Sequence, residues 1–114
     1  MTEPRLASSV LVGALVRRAE AEGGFAAVLA KGDATAGSIL VVLTEKGVKT
    51  ALYERTLQSD GRYSWAASHG QAAEKAEEVP ESIARRRRFD PDLWVLELDI
   101  PSIERFAAAM NAFD

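Results

Sequence analysis

The sequence predicts an α/β (α+β) domain in the order α-β-β-β-β-α-β-α. One mixed, mainly antiparallel five-stranded sheet carries helices on its faces. Three observations point there. Helical periodicity brackets a middle region of short apolar runs. The run Ile39-Leu40-Val41-Val42-Leu43 has no polar alternation, so that strand needs cover on both faces. Lys46-Gly47 and Asp60-Gly61 are tight-turn dipeptides, and tight turns join antiparallel neighbours.

The first helix is predicted over Ser8 to Glu22. Leu11, Val12, Leu15, Val16 and Ala19 form one apolar stripe, Ser8 or Ser9 can cap its start, and Gly23-Gly24 can supply a left-handed residue at its end. Phe25 to Ala30 and Ser38 to Thr44 are Gly-bounded apolar runs that read as strands. A third strand runs from about Val48 to Leu57 and a fourth from Arg62 to Ala67. A two-residue loop at Asp60-Gly61 places Ser59 opposite Arg62 and Thr56 opposite Trp65. Trp65 then shares a face with Leu52 and Thr56, with Tyr53 on the other face; one extra turn residue reverses this.

Ser68 to Glu78 is polar and Ala-rich and reads as a loop with frayed helix. Pro80 and Glu81 suit the first turn of a second helix, Pro80 to Arg88. Asp90-Pro91-Asp92 stops it, because a residue before Pro avoids helical geometry. Leu93 to Leu98 is the fifth strand, reached by a connection long enough for a helical crossover. Ser102 precedes Ile103, Phe106, Ala107 and Met110, which fall at i, i+3, i+4 and i+7 on a final amphipathic helix.

Bulk properties narrow the function. The 114 residues, 47% hydrophobic and 27% charged, suit one globular domain over 1–114. There is no Cys and a single His, so thiolate zinc sites, disulfides, cysteine nucleophiles and multi-histidine metal centres are excluded. A net charge of −3 gives no bulk attraction to nucleic acid or anionic membranes. The longest strictly apolar run, Val10 to Val16, has seven residues, where a membrane span needs roughly 20. Arg5 and the stretch from Leu6 to Val16 outline a signal peptide, but Ser8, Ser9, Arg17 and Arg18 interrupt that pattern. A cytoplasmic location without membrane contact is expected.

Four local clusters carry candidate chemistry. Gly32-Asp33-Ala34-Thr35-Ala36-Gly37-Ser38 has the outline of a phosphate loop. It lacks the Lys and leads into a strand where a helix is required, so it reads as a strand-to-strand connection with Gly where backbone angles demand it. His69, near Ser64, Ser68 and Asp60, has no Gly-x-Ser-x-Gly elbow and no triad signature, and reads as a solvated loop residue. Asp90 and Asp92 could ligate a hard cation, but the remaining ligands of a calcium loop are absent, and the pair reads as a turn in which an Asp caps its own backbone.

The most informative run is Arg85-Arg86-Arg87-Arg88. Four successive helical residues step about 100° each and cover roughly 300° of the circumference, so they cannot all face water if the helix packs on a sheet. Ile83 marks the inner face, with Arg86 or Arg87 one turn beyond it. One of these two is expected to be mostly buried against a carboxylate from Asp90, Asp92 or Glu97. The alternative is that Arg85, Arg86, Arg87 and Arg88 present an anion site, extended by Arg17 and Lys31. Trp65, Trp94, Tyr53 and Tyr63 are not interleaved with these basic residues as a nucleic-acid surface often shows, and Trp94 reads as core.

Arg85 through Glu97, with its Phe89-Asp90-Pro91-Asp92-Leu93-Trp94 centre, resembles the C-terminal signature of the domain of unknown function 1491 family of short bacterial proteins. Leu15 to Glu20 resembles that family's first helix, and Ala30 to Gly37 its first strand-to-strand loop. The likeness spans roughly Arg5 to Leu98. It implies a stand-alone bacterial domain and supplies no activity, cofactor or catalytic residue. No catalytic residue, metal set or cofactor motif is identified. A non-enzymatic module that binds a protein partner or forms a homo-oligomer is therefore expected, recognisable by an exposed apolar patch or a dimer. An anion- or nucleic-acid-binding module is the alternative. An enzyme using Asp, Glu, Arg or Tyr drawn from distant positions is a third class.

Overall fold

The structure is a computed structural model that describes residues 7–47, 49–57, 59–67 and 79–111. The elements are α1 (Ser8–Ala21), β1 (Phe25–Ala30), β2 (Ile39–Glu45), β3 (Lys49–Leu57), β4 (Tyr63–Ala67), α2 (Val79–Phe89), β5 (Trp94–Ile100) and α3 (Ile103–Asn111). The sheet order is β1-β5-β2-β3-β4. Three pairings are antiparallel and β2–β5 is parallel, because the chain crosses over through α2 before returning beside β2. Val48, His69 and the rest of the stretch from Ser68 to Glu78 lie outside the described residues.

β2 sits inside the sheet between β5 and β3. Ile39 to Leu43 is 0–3% exposed throughout, as its unbroken apolar run requires. Its odd residues, Ile39, Val41 and Leu43, join Leu11 and Leu15 of α1, Leu96 and Leu98 of β5, and Phe106 and Met110 of α3. Its even residues, Leu40 and Val42, join Leu52, Val79, Leu93 and Val95, with Ile83 of α2 packed against them. The molecule therefore has three layers, with α1 and α3 on one face and α2 on the other. Trp94 is 4% exposed, and its indole N–H donates to the Asp33 carbonyl at 2.7 Å.

α1 starts without the expected serine cap. Its N-cap is Ala7, with no side-chain cap hydrogen bond. The backbone N–H groups of Ser8 and Ser9 instead donate to the Thr35 and Ala34 carbonyls at 3.1 and 2.9 Å. The buried Ser8 hydroxyl donates to the Gly37 carbonyl at 2.7 Å. The β1–β2 loop thus satisfies the amides that a cap would otherwise serve. At the other end Gly23 takes φ +83 and ends the helix as expected.

The β3–β4 hairpin corrects the two-residue loop. Arg55 pairs with Trp65, Thr56 with Ser64 and Leu57 with Tyr63, one residue away from Ser59 opposite Arg62. Gly61 takes φ +85, and the Asp60 carboxylate accepts the Arg62 N–H at 3.0 Å, which widens the turn. A one-residue slip exchanges the faces. Trp65 accordingly packs in the α1/α3 core beside Tyr53, while Leu52 belongs to the opposite face.

Candidate functional site

Gly32 and Gly37 differ from expectation in their reason. Neither has a positive φ. A Cβ on Gly32 would lie 2.1 Å, and one on Gly37 2.4 Å, from the Asp92 carbonyl oxygen, so close backbone approach demands glycine. The loop's amides at Asp33, Thr35, Ala36 and Gly37 are already engaged. Asp33 accepts from Thr35 and Ala36 through its carboxylate and from Gly37 through its carbonyl. Asp33 N–H donates to the Asp92 carbonyl at 3.0 Å. The segment that outlines a phosphate loop is thus a clamp between α1 and the β5 entry.

The Asp90-Pro91-Asp92 turn forms as read. Asp90 Oδ1 accepts the Asp92 N–H at 3.2 Å, and the Asp90 carbonyl accepts the Leu93 N–H. Among the described residues no three His, Cys, Asp or Glu side chains are grouped to hold a metal ion.

The four arginines have separate fates, as helical geometry requires. Arg85, Arg87 and Arg88 are exposed and Arg86 is half-buried. The carboxylate that Arg86 meets is Glu54 of β3, at 2.6 Å, and not Asp90, Asp92 or Glu97. Arg86 is also less buried than expected, its side chain 30% exposed. The hydrogen bond to Glu54 raises the guanidinium pKa; partial desolvation opposes this, and the charges of Glu54 and Asp90 reinforce it. Glu54 stands opposite Leu40, which puts it on the α2 face. Only the observed hairpin register and the packing of α2 reveal it as the partner, and no local motif around Glu54 signals that role.

Arg87 lines a groove of about 370 Å³ between α2 and the sheet, with Leu29, Val42, Ile83 and Glu97 among its other lining residues. Its floor and walls are largely apolar, and its two charged members have opposite sign. Through Leu29 the groove reaches β1, a terminal strand of the sheet. Phe25 is 76%, Val28 49% and Leu29 48% exposed on this strand, which carries no charged residue at all. In the sequence β1 is marked only as an apolar strand. Its edge position follows from where β5 inserts, and no local pattern reports that.

The opposite edge, β4, is treated differently. The Asn111 side chain of α3 accepts the Trp65 backbone N–H at 2.7 Å and donates to the Trp65 carbonyl at 3.5 Å. One amide side chain thereby stands where a neighbouring strand's peptide group would stand.

Comparison with known proteins now bears on the family. The profile described as "Protein of unknown function (DUF1491)" matches residues 6–108. The fold is similar to the crystal structure of a DUF1491 family protein from Caulobacter crescentus CB15, with TM-score 0.80 and 32% identity, over 90% of this chain and 94% of that one. It is also similar to the solution structure of protein Atu0922 from A. tumefaciens, with TM-score 0.76 and 35% identity, over 91% and 93% of the two chains. An NMR structure of a DUF1491 family protein from Caulobacter crescentus CB15 gives TM-score 0.78 and 31% identity, over 92% and 94%. No curated protein matches the chain. By the profile match and these structural relatives, the chain belongs to the DUF1491 family of proteins of unknown function.

Proposed function

We propose that the protein is a non-enzymatic cytoplasmic interaction module, and that the β1 edge with the groove beside it is its working surface. The observation that carries this is the exposure of Phe25 and Leu29 on the α2 side of β1, where Leu29 also lines the groove. Large apolar side chains gathered at one exposed place mark interaction surfaces. An open strand edge adds a row of unpaired backbone donors and acceptors. No helix among the described residues is long and apolar enough to cross a membrane.

Photo-crosslinking in living cells tests the reading. A photoreactive residue is placed at Phe25 or Leu29, and as controls at Arg62 or Glu104, both exposed and outside β1 and the groove. Discrete protein adducts are expected at the first pair and none at the controls. No adducts at Phe25 and Leu29, or the same adducts at all four positions, would refute it.

A further inference from the structure

We infer that β1 is a self-pairing edge: two copies of this chain join antiparallel through Phe25–Ala30, making one continuous sheet across a two-fold axis. This deepens the interaction reading and rests on it. β1 is hydrogen-bonded to β5 on one side only. In an antiparallel strand alternate residues aim their N–H and C=O groups away from the partner, and what satisfies such an alternating row is another extended chain.

The asymmetry between the two edges selects a second copy and a closed dimer. Asn111 holds both backbone groups of Trp65 at the β4 edge, whereas among the described residues no hydrogen bond covers the outer side of β1. A sheet with two open edges would polymerise head to tail. Among the described residues Asn111 occupies the middle of β4 at Trp65 and nothing occupies the outer side of β1, so β1–β1 pairing uses the same surface on both copies and stops at two.

The strand is also self-compatible. Exposed edges are commonly guarded by Lys or Pro, and β1, Phe-Ala-Ala-Val-Leu-Ala, has neither. With no charge in the strand, antiparallel pairing sets no like charges opposite one another. The bulge between Val28 and Ala30 leaves Phe25 to Val28 as the regular pairing segment. Six residues a side fall short of the roughly 1,200 Å² total of a standard stable interface, so association depends on concentration.

The test reads mass by light scattering from about 1 to about 500 µM. The wild type is expected to rise toward twice the monomer mass. Val28→Lys should remain monomeric, with a melting curve that shows it folded, and Glu104→Lys should dimerise like the wild type. The chain has no cysteine, so Ala27→Cys gives a clean single site for a spin label. Paired β1 strands place the two labels within about 20 Å, since opposed Cα atoms lie about 5 Å apart. A wild type that stays monomeric throughout, a dimer that survives Val28→Lys, or labels separated by well over about 20 Å overturns self-pairing. Self-pairing also fails, while the interaction reading stands, if the wild type is monomeric and the crosslinker at Phe25 captures a different protein.

Discussion

The face of the sheet under α1 and α3 and the face under α2 are built from the same five strands, yet among the described residues the first is the more completely covered, with a smaller cavity of about 160 Å³ beside Ile39, Arg55 and Tyr63. Five strands at about 4.8 Å spacing span roughly 19 Å between their outer axes, and a helix with its side chains is about 10 Å wide. Two helices cover that width. On the first face they seal both tryptophans, Phe106 and Met110 into one core. α2 alone covers part of the other face. There the core is smaller, a groove remains beside the helix, and Glu97 and Leu29 stay exposed. The more covered face supplies stability, and the less covered face and edge leave surface free for contact.

Substitutions on the two faces should therefore cost very different amounts. The largest effect is expected at the more covered face. Phe106→Ala removes a fully buried ring, and Trp94→Ala also removes the indole N–H bond, the shorter of two hydrogen bonds to the Asp33 carbonyl. Each should lose about 3–5 kcal/mol in urea unfolding. Ser8→Ala comes next, since it leaves the Gly37 carbonyl without its buried donor, and about 1–3 kcal/mol is expected. Ile83→Ala on the open face should cost only about 1–2 kcal/mol, because that side chain is half-buried and the groove already admits water. A loss at Ile83 equal to that at Phe106 would break the contrast between the faces.

Smaller effects sharpen it. The Arg86–Glu54 pair is about one-third exposed on both sides, so Arg86→Ala should cost at most about 1 kcal/mol, less at high salt, as unfolding in a sodium chloride series will show. Arg85→Ala and Arg88→Ala should change stability by under about 0.5 kcal/mol. Titrating a short oligonucleotide against these two variants and the wild type at several salt concentrations also probes the anion-binding alternative. Under the interaction reading none of the three binds appreciably. Wild-type binding that weakens steeply with salt and falls with each substitution would transfer the function to the arginines.

Much of this contrast is legible in the residues, and the misses are instructive. The stripe through Leu11, Leu15 and Ala19 and the spacing of Phe106 and Met110 identify the faces of α1 and α3, because each is a periodicity within one element. The divergence of Arg85 to Arg88 follows from helix geometry alone. The partner of Arg86 does not. Asp90 and Asp92 are near in sequence, but Glu54 is brought opposite by the sheet, 32 residues away. The open β1 edge and the Asn111 cover of β4 depend on strand order, which no single segment encodes.

The sequence by itself determined the element order, the two-sided burial of β2, the burial of Trp94, the stop of α1 at Gly23 and the Asp90 turn. All of these follow from local backbone preferences or from the spacing of apolar side chains along one segment. Only the tertiary structure decided the register of β3 against β4, the insertion of β5 between β1 and β2, the cap of α1 by loop carbonyls, and the need for glycine at 32 and 37. These depend on how distant segments meet. A one-residue change in a turn exchanges the faces of a whole strand, and a Cβ is excluded at Gly32 only because the Asp92 carbonyl has been brought within 2.1 Å of where it would stand.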